Sequence, residues 1–118
     1  MHEKLVELVA EVDASSPCTA RLSVQAQSSP ALMGAGPKQA LIRAAELHAA
    51  EHYRIMPSGA GHDAQILAGH LPTAMMFVPS IGGISHHWSE NTSDADIGRG
   101  AEVFVEATKQ LLLEPSGS

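Results

Sequence analysis

Residue types that can do chemistry gather in two glycine-rich loops, and the first, residues 57–64, reads PSGAGHDA. Its glycines allow the backbone to approach a ligand closely. Free N–H groups at the start of a helix favour an anion such as a carboxylate, and His62 and Asp63 can supply hydrogen bonds or metal ligands. The alternative is a structural turn in which Asp63 caps a helix, and the spacing alone favours that alternative.

The second loop, residues 79–90, reads PSIGGISHHWSE and carries two adjacent histidines. An imidazole can bind zinc through one nitrogen while a neighbouring group holds the other. Side chains of adjacent residues diverge in extended backbone, so we expect only one of His86 and His87 to bind a given ion. Glu90 either orients that ligand or is solvated. The structural alternative is a surface loop with two exposed histidines.

The remaining histidines and the lone cysteine carry weaker signals. His48 and His52 are four residues apart in a predicted helix and would share a face, but no HExxH pattern accompanies them. A solvated or partly buried helix face is the better interpretation. Cys18 is the single cysteine, which excludes an intrachain disulfide and favours a reducing, cytoplasmic location.

The elements that must position the two loops follow from hydrophobic periodicity. Helical spacing of apolar residues predicts helices over residues 2–12, 37–52 and 93–113, with a short helix over 63–68 and a capping-box start at Ser93. Alternation predicts a half-buried strand over residues 20–26. Residues 53–62 are predicted to form a short strand that ends in a Gly-rich turn. The apolar run at 73–78 is predicted to form a strand buried on both faces.

Helix and strand alternate in the second part of the chain, which predicts an α/β fold with a small, mostly parallel sheet and flanking helices. Both glycine-rich loops follow a predicted strand, where ligand sites of open α/β sheets gather. Pro and Gly residues over 28–37 mark a boundary between two structural units. The length of 118 residues suits a single core.

Composition and charge exclude several classes of protein. The net charge is −6 and no run of Lys or Arg occurs, so binding to nucleic acid is not expected. No apolar run approaches the length of a membrane span, and the N-terminus has no signal-peptide core. With 44% apolar residues, the chain is expected to fold rather than remain disordered.

Three ordered blocks together resemble one family more specifically than either loop alone: residues 56–65 (MPSGAGHDAQ), residues 76–80 (MFVPS), and residues 83–86 (GISH) with Glu90. They resemble the peptidase M20-related group of N-carbamoyl-L-amino-acid hydrolases, β-ureidopropionases and allantoate amidohydrolases. The resemblance is strong over about residues 53–113 and weaker over residues 1–52.

The resemblance implies part of a zinc-type dinuclear amidohydrolase, with a catalytic α/β domain and an inserted lid domain that also mediates dimerisation. Residues 1–29 would be the end of the lid, and residues 30–118 the C-terminal part of the catalytic domain. The resemblance implies that His86 is a metal ligand and that Glu90 supports this ligand. The implied substrate-binding residues are Gly59, Ala60, Gly61, His62, Asp63 and Gly83.

The sequence departs from the family pattern in two respects. His87 and Trp88 stand where relatives have small residues or proline, which puts the shape of that loop in doubt. The other implied ligands, which are an early histidine, a bridging aspartate, a glutamate pair and a further histidine, have no matching segment here. The catalytic glutamate is among these groups, so no catalytic residue is assigned.

We therefore expect a segment of a Zn-, Mn- or Co-dependent hydrolase that cleaves linear C–N amide bonds of N-carbamoyl or ureido compounds and is inactive alone. Two alternatives remain open. One is a non-catalytic remnant that self-associates as a homo-oligomer to cover an exposed strand edge and apolar face. The other is a subunit completed by a separate polypeptide that supplies an N-terminal half.

Overall fold

The computed structural model describes residues 2–25 and 29–113. Four α-helices follow one another along the chain: α1 (His2–Ser15), α2 (Ala35–His48), α3 (Asp63–Leu67) and α4 (Asp94–Leu113). A 3₁₀ turn at Ile81–Gly83 lies between α3 and α4. All four helices were predicted, although α2 begins two residues earlier and ends four residues sooner than the periodicity indicated.

Helices α2 and α4 pack against each other and hold the buried core of the described residues. That core consists of Ala40, Ala44, Ala45, Ala49, Val103 and Ala107. Small side chains at helical spacing let two helix backbones approach closely, so the interface is thin. Leu41 and Met76 are partly buried and cover it from the side.

Polar side chains link the same two helices outside the alanine core. Arg43 Nε donates to Gln110 Oε1 at 2.9 Å, and the Gln110 amide donates in turn to Glu106 Oε1 at 3.0 Å. The start of α4 is capped as predicted. Ser93 Oγ accepts the Asp96 N–H at 3.1 Å and donates to Asp96 Oδ2 at 2.6 Å, which satisfies one of the free N–H groups of the first turn.

The three predicted strands do not form ladders in the described residues. Residues 20–25, 53–59 and 72–80 carry no strand or bridge, and position 26 lies outside the described part. The predicted parallel sheet is therefore not confirmed. A helix satisfies its own backbone groups, whereas a strand needs a neighbouring strand to pair with, and these segments are not hydrogen-bonded to one another.

Two close contacts nevertheless hold residues 72–80 against the helix pair. Gly34 N–H donates to the Thr73 carbonyl at 2.7 Å, just before α2 begins. On α4, a Cβ added to Gly100 would lie 2.5 Å from Val78 Cγ1. Glycine suits position 100 because the Val78 side chain lies against α4 there, and a Cβ would force that side chain to shift.

Much of the apolar surface remains uncovered. The chain exposes 9676 Å², against about 6,100 Å² for a compact protein of this mass. Helix α1 packs against none of the other helices, and it leaves Leu5, Leu8 and Val12 nearly half exposed. No helix in the described ranges has the length and apolar character needed to cross a membrane.

Candidate functional site

The first glycine-rich loop runs directly into α3, as predicted. His62 is the residue that precedes the helix, with extended backbone, and Asp63 is the first helical residue. No side-chain hydrogen bond caps α3, so the structural alternative in which Asp63 acts as the cap is wrong. The short length of α3, five residues, means that its first turn has little dipole to offer an anion.

Two neighbours fix the orientation of His62. Ser58 Oγ lies 3.1 Å from His62 Nε2, and the Phe77 ring lies 5.3 Å from the imidazole at 54°. Ser58 Oγ also accepts the Ala60 N–H at 3.3 Å, which closes the turn. The imidazole is therefore held between its own loop and the apolar segment 72–80, and its Nε2 is engaged.

The packing of the described residues leaves room for a side chain at both Gly59 and Gly61. A Cβ at either position would meet no atom within 4 Å, and neither residue has a positive φ. A shallow cavity of about 490 Å³ opens beside this loop, lined by Ser29, Gly61, His62, Asp63, Gln65 and Ile66. The loop thus presents polar groups at the rim of an open depression.

The second loop is closed at its base and strained at its tip. Ile81 N–H donates to the Asn91 carbonyl at 2.8 Å. Gly83 has φ +70 and His86 has φ +56. Left-handed backbone suits glycine but costs about 1–2 kcal/mol for a residue with a Cβ, so the surroundings must hold His86 in this conformation.

Glu90 supplies that support through the backbone and not through the imidazole. Its Oε2 accepts the His86 N–H at 2.7 Å, and its own N–H donates to the His87 carbonyl at 2.9 Å. A hydrogen bond to a carboxylate is stronger than one between neutral groups. Glu90 thus stabilises the peptide backbone of His86 and His87, and its expected role towards a metal ligand stays a prediction.

The adjacent histidine and tryptophan interact with each other on the outside of the loop. His87 Nδ1 lies 2.8 Å from Ser89 Oγ, and the His87 and Trp88 rings are 5.4 Å apart. Trp88 is 90% exposed. The His87 ring therefore contacts Ser89 and Trp88, whereas His86 is held through its backbone N–H. Which of the two imidazoles binds an ion stays a prediction.

The structure does not assemble a complete metal centre. Within residues 2–25 and 29–113, no three side chains of His, Cys, Asp or Glu come together in a way that could hold a metal ion. His48 and His52 do not share a helix face, because α2 ends at His48. His48 instead lies 3.9 Å from Glu102 on α4.

No hydrogen bond, ion pair or ring contact between described residues joins the two loops directly. They are connected through residues 72–80, where Phe77 contacts His62 and Ser80 leads into the 3₁₀ turn of the second loop. Sequence reasoning missed Ser58, Phe77 and Gln65. The spacing of Ser58 four residues before His62 was a usable signal for the first of these, whereas the other two depend on packing.

Comparison with known proteins decides the family. Residues 6–110 match the model of peptidase family M20/M25/M40. The chain belongs to this family. The blocks at residues 56–65, 76–80 and 83–86 had indicated the same assignment from the sequence, and that prediction is confirmed.

Relatives narrow the group within the family. The chain is 50% identical over 60 residues to the allantoate amidohydrolase of Escherichia coli (strain K12), covering 51% of this chain and 15% of that protein. It is 41% identical over 59 residues to the N-carbamoyl-L-amino-acid amidohydrolase of Paenarthrobacter aurescens, covering 50% and 14%. This M20 chain therefore spans about a seventh of these curated relatives.

A solved structure extends the similarity to nearly the whole chain. The crystal structure of an amidase of the hydantoinase/carbamoylase family from Burkholderia phymatum superimposes with a TM-score of 0.77 at 35% identity. The match covers 93% of this chain and 26% of the amidase. The helices and irregular segments described above thus reproduce about a quarter of a larger amidase.

Proposed function

We propose that this chain forms the C-terminal part of a metal-dependent amidohydrolase acting on linear C–N amide bonds of N-carbamoyl amino acids or ureido compounds. The observation that carries the proposal is the 0.77 TM-score match to a carbamoylase-family amidase over 93% of the chain. In this proposal, residues 1–29 belong to a lid and residues 30–118 to the catalytic domain of a cytoplasmic enzyme.

The contribution of this chain to a metal centre is one imidazole, that of His86. A catalytic zinc site usually has about three protein ligands, so the donors in the described residues do not make such a site. The remaining ligands would come from outside the chain. Zn, Mn or Co, which the family resemblance implies, would polarise the scissile carbonyl and activate water when bound.

The chain's own residues have distinct tasks under this proposal. Residues 59–63 and Gly83 form the rim that contacts the substrate, and the open space at Gly59 and Gly61 supports this role. Ser58 engages Nε2 of His62, which leaves Nδ1 to bind a substrate oxygen or N–H. Glu90 holds the His86 peptide so that the imidazole is presented in one orientation.

The two extended segments that have no partner strand among the described residues would fit into the sheet of a larger domain. We assign residues 53–57 and 73–78 as strands of a parallel sheet whose neighbouring strands lie outside this chain. Ile55, Met56 and Phe77 are more than half exposed here, and burial in such a sheet would remove that apolar surface from water. Packing of residues 72–80 on α4 would then form one face of the sheet.

Self-association is the second candidate. The exposed surface of the chain exceeds that of a compact protein of this mass by about 3,500 Å². This is more than the roughly 1,000–2,500 Å² that each partner contributes to an obligate interface. A second copy or a separate polypeptide could cover it. Sedimentation of the pure chain distinguishes these alternatives, because a stable monomer contradicts self-association and a complementing N-terminal segment would bind only when added.

A chimaera tests the enzymatic proposal directly. The 118-residue chain would replace the matching quarter of the Burkholderia phymatum amidase, and hydrolysis of N-carbamoyl amino acids, ureidopropionate and allantoate would be assayed with Zn²⁺, Mn²⁺ or Co²⁺. We expect turnover by the chimaera and none by the isolated chain. Metal-dependent turnover by the isolated chain would contradict the proposal that it is incomplete.

His86→Ala in the chimaera should lower kcat/KM by at least about a hundredfold, because a metal ligand is lost. His87→Ala is the matched control, since it removes an adjacent imidazole that contacts Ser89 and Trp88. It should change kcat/KM by only a few-fold. The ligand assignment is wrong if His87→Ala has the larger effect.

A further inference from the structure

One hydrogen bond joins the two structural units that the sequence separates. Gln65 Nε2 donates to the backbone carbonyl of Ser29 at 2.5 Å, across 36 positions of the chain. Ser29 lies at the end of the segment assigned to the lid, and Gln65 lies in α3. Helix α1 packs on none of the other helices. Gly34 fixes the far end of residues 29–33 by donating to the Thr73 carbonyl, and Gln65 fixes the end at Ser29.

The same glutamine is tied to the candidate substrate rim. Its backbone N–H donates to the His62 carbonyl at 2.9 Å, so Gln65 moves with the residue that Ser58 and Phe77 orient. The cavity of about 490 Å³ lies between the two units, with Ser29 on one side and residues 61–66 on the other. Gln65 therefore spans the depression that the rim borders.

We propose that Gln65 is a positioning residue that fastens the linker at Ser29 to the substrate rim and so sets the width of this cavity. The proposal rests on the proposed function for the identity of the rim, but the fastening itself does not. A substrate bound at the rim would then meet a linker already held in place. Loss of the bond would let the cavity widen and weaken substrate binding without touching the reacting atoms.

Limited proteolysis of the complete chain tests the fastening without any enzymatic assay. Leu32 is 92% exposed. The bond between Ala31 and Leu32 lies just beyond Ser29, and thermolysin, which cuts on the N-terminal side of large apolar residues, can cleave it. Gln65→Glu keeps the shape of the side chain but replaces the N–H donor with an acceptor. We expect cleavage there to become about fivefold faster, the factor corresponding to the net free energy of one hydrogen bond.

Two further variants make the result specific. Gln39→Glu introduces the same chemical change on an exposed site of α2 and should leave the cleavage rate unchanged. Gln65→Lys restores an N–H donor and should return cleavage towards the parental rate, even if both substitutions perturb α3. Equal rates for the parental chain and Gln65→Glu would overturn the proposal, and so would Gln65→Lys being as fast as Gln65→Glu.

A kinetic measurement in the chimaera then connects the fastening to function. Gln65→Glu should raise KM by about three- to tenfold and leave kcat within twofold, because the residue acts on the rim and not on the reaction itself. Equal losses in kcat and kcat/KM would contradict a positioning role. An inactive parental chimaera would refute the proposed function, while the proteolysis result would still decide whether Gln65 holds the linker.

Discussion

The helix pair α2–α4 and the segments that carry the candidate site differ in where their stability comes from. The pair satisfies its backbone internally and buries six small apolar residues. Residues 53–62 and 72–91 have few internal backbone bonds and leave large side chains exposed, among them Ile55, Phe77 and Trp88. The candidate site residues therefore lie on the part of the chain that has the least internal support among the described residues.

The largest effect should come from placing a charge in the alanine core. Ala44 is fully buried between α2 and α4, and an ionised carboxylate there would have no partner, so Ala44→Asp should cost at least about 3 kcal/mol of unfolding free energy. The measurement is chemical denaturation followed by circular dichroism at neutral pH. It shows whether the helix pair is the folding unit of the chain.

Leu47→Asp is the matched control, because it introduces the same residue one turn away on the same helix at a position that is 68% exposed. Its unfolding free energy should change by no more than about 0.5 kcal/mol. If the two variants unfold at the same denaturant concentration, the pair contributes no cooperative core, and the contrast between the two regions disappears.

Smaller changes in stability are expected at two glycines of α4, and the two substitutions should act in opposite directions. Gly100→Ala should destabilise the chain by about 1–3 kcal/mol, because the new Cβ would meet Val78 Cγ1 at 2.5 Å and force residues 76–78 away. Gly98→Ala meets no atom within 4 Å, and it should stabilise the helix by up to about 1 kcal/mol.

Thermal unfolding of both variants measures how firmly the apolar segment is attached to the helix pair. A destabilised Gly100→Ala beside a stabilised Gly98→Ala supports the attachment. Stabilisation of similar size in both would mean that residues 76–78 do not rest on α4, and the boundary between the two regions would then lie before residue 76.

The contrast also explains which features the sequence could predict. Helix periodicity and the capping box at Ser93 are local signals, and they correctly predicted α1 to α4. Strand patterns at residues 20–26, 53–57 and 73–78 were equally clear, but a strand forms only against a partner strand, and the described residues contain none. A local pattern therefore indicates a preference for extended backbone and not the presence of a sheet.

The features of the candidate site also divide into those that local sequence predicts and those that depend on three-dimensional packing. The family and the positions of His62 and His86 could be read from short motifs, because motifs record residue type and spacing. The clasp of Glu90 on the His86 peptide and the contact of Phe77 with His62 depend on dihedral angles and packing. Sequence reasoning assigned Glu90 to a supporting role but could not tell whether it would reach the backbone or the ring.

The smallest effect concerns the contact between α2 and the start of the site-bearing region. Tyr53 Oη donates to Glu46 Oε1 at 3.4 Å. The pKa of Tyr53 is raised above its ordinary value, first by partial burial, then by the negative charge of Glu46 and by the hydrogen bond to it. Because the folded state favours the neutral phenol, this contribution to stability is complete below the unfolded-state pKa and is lost as the pH rises through the folded-state pKa.

Glu46→Gln should lower the pKa of Tyr53 towards the ordinary value without restoring it fully, since the partial burial remains. The chain has one tyrosine, so the ultraviolet absorbance of tyrosinate reports this group alone. Glu51→Gln is the control, because Glu51 is nearer in sequence but is not a cause of the shift. An unchanged tyrosine pKa in Glu46→Gln would show that the site-bearing region does not touch α2 at this point. Gly34, Met76 and Gly100 would remain as places where the two regions meet.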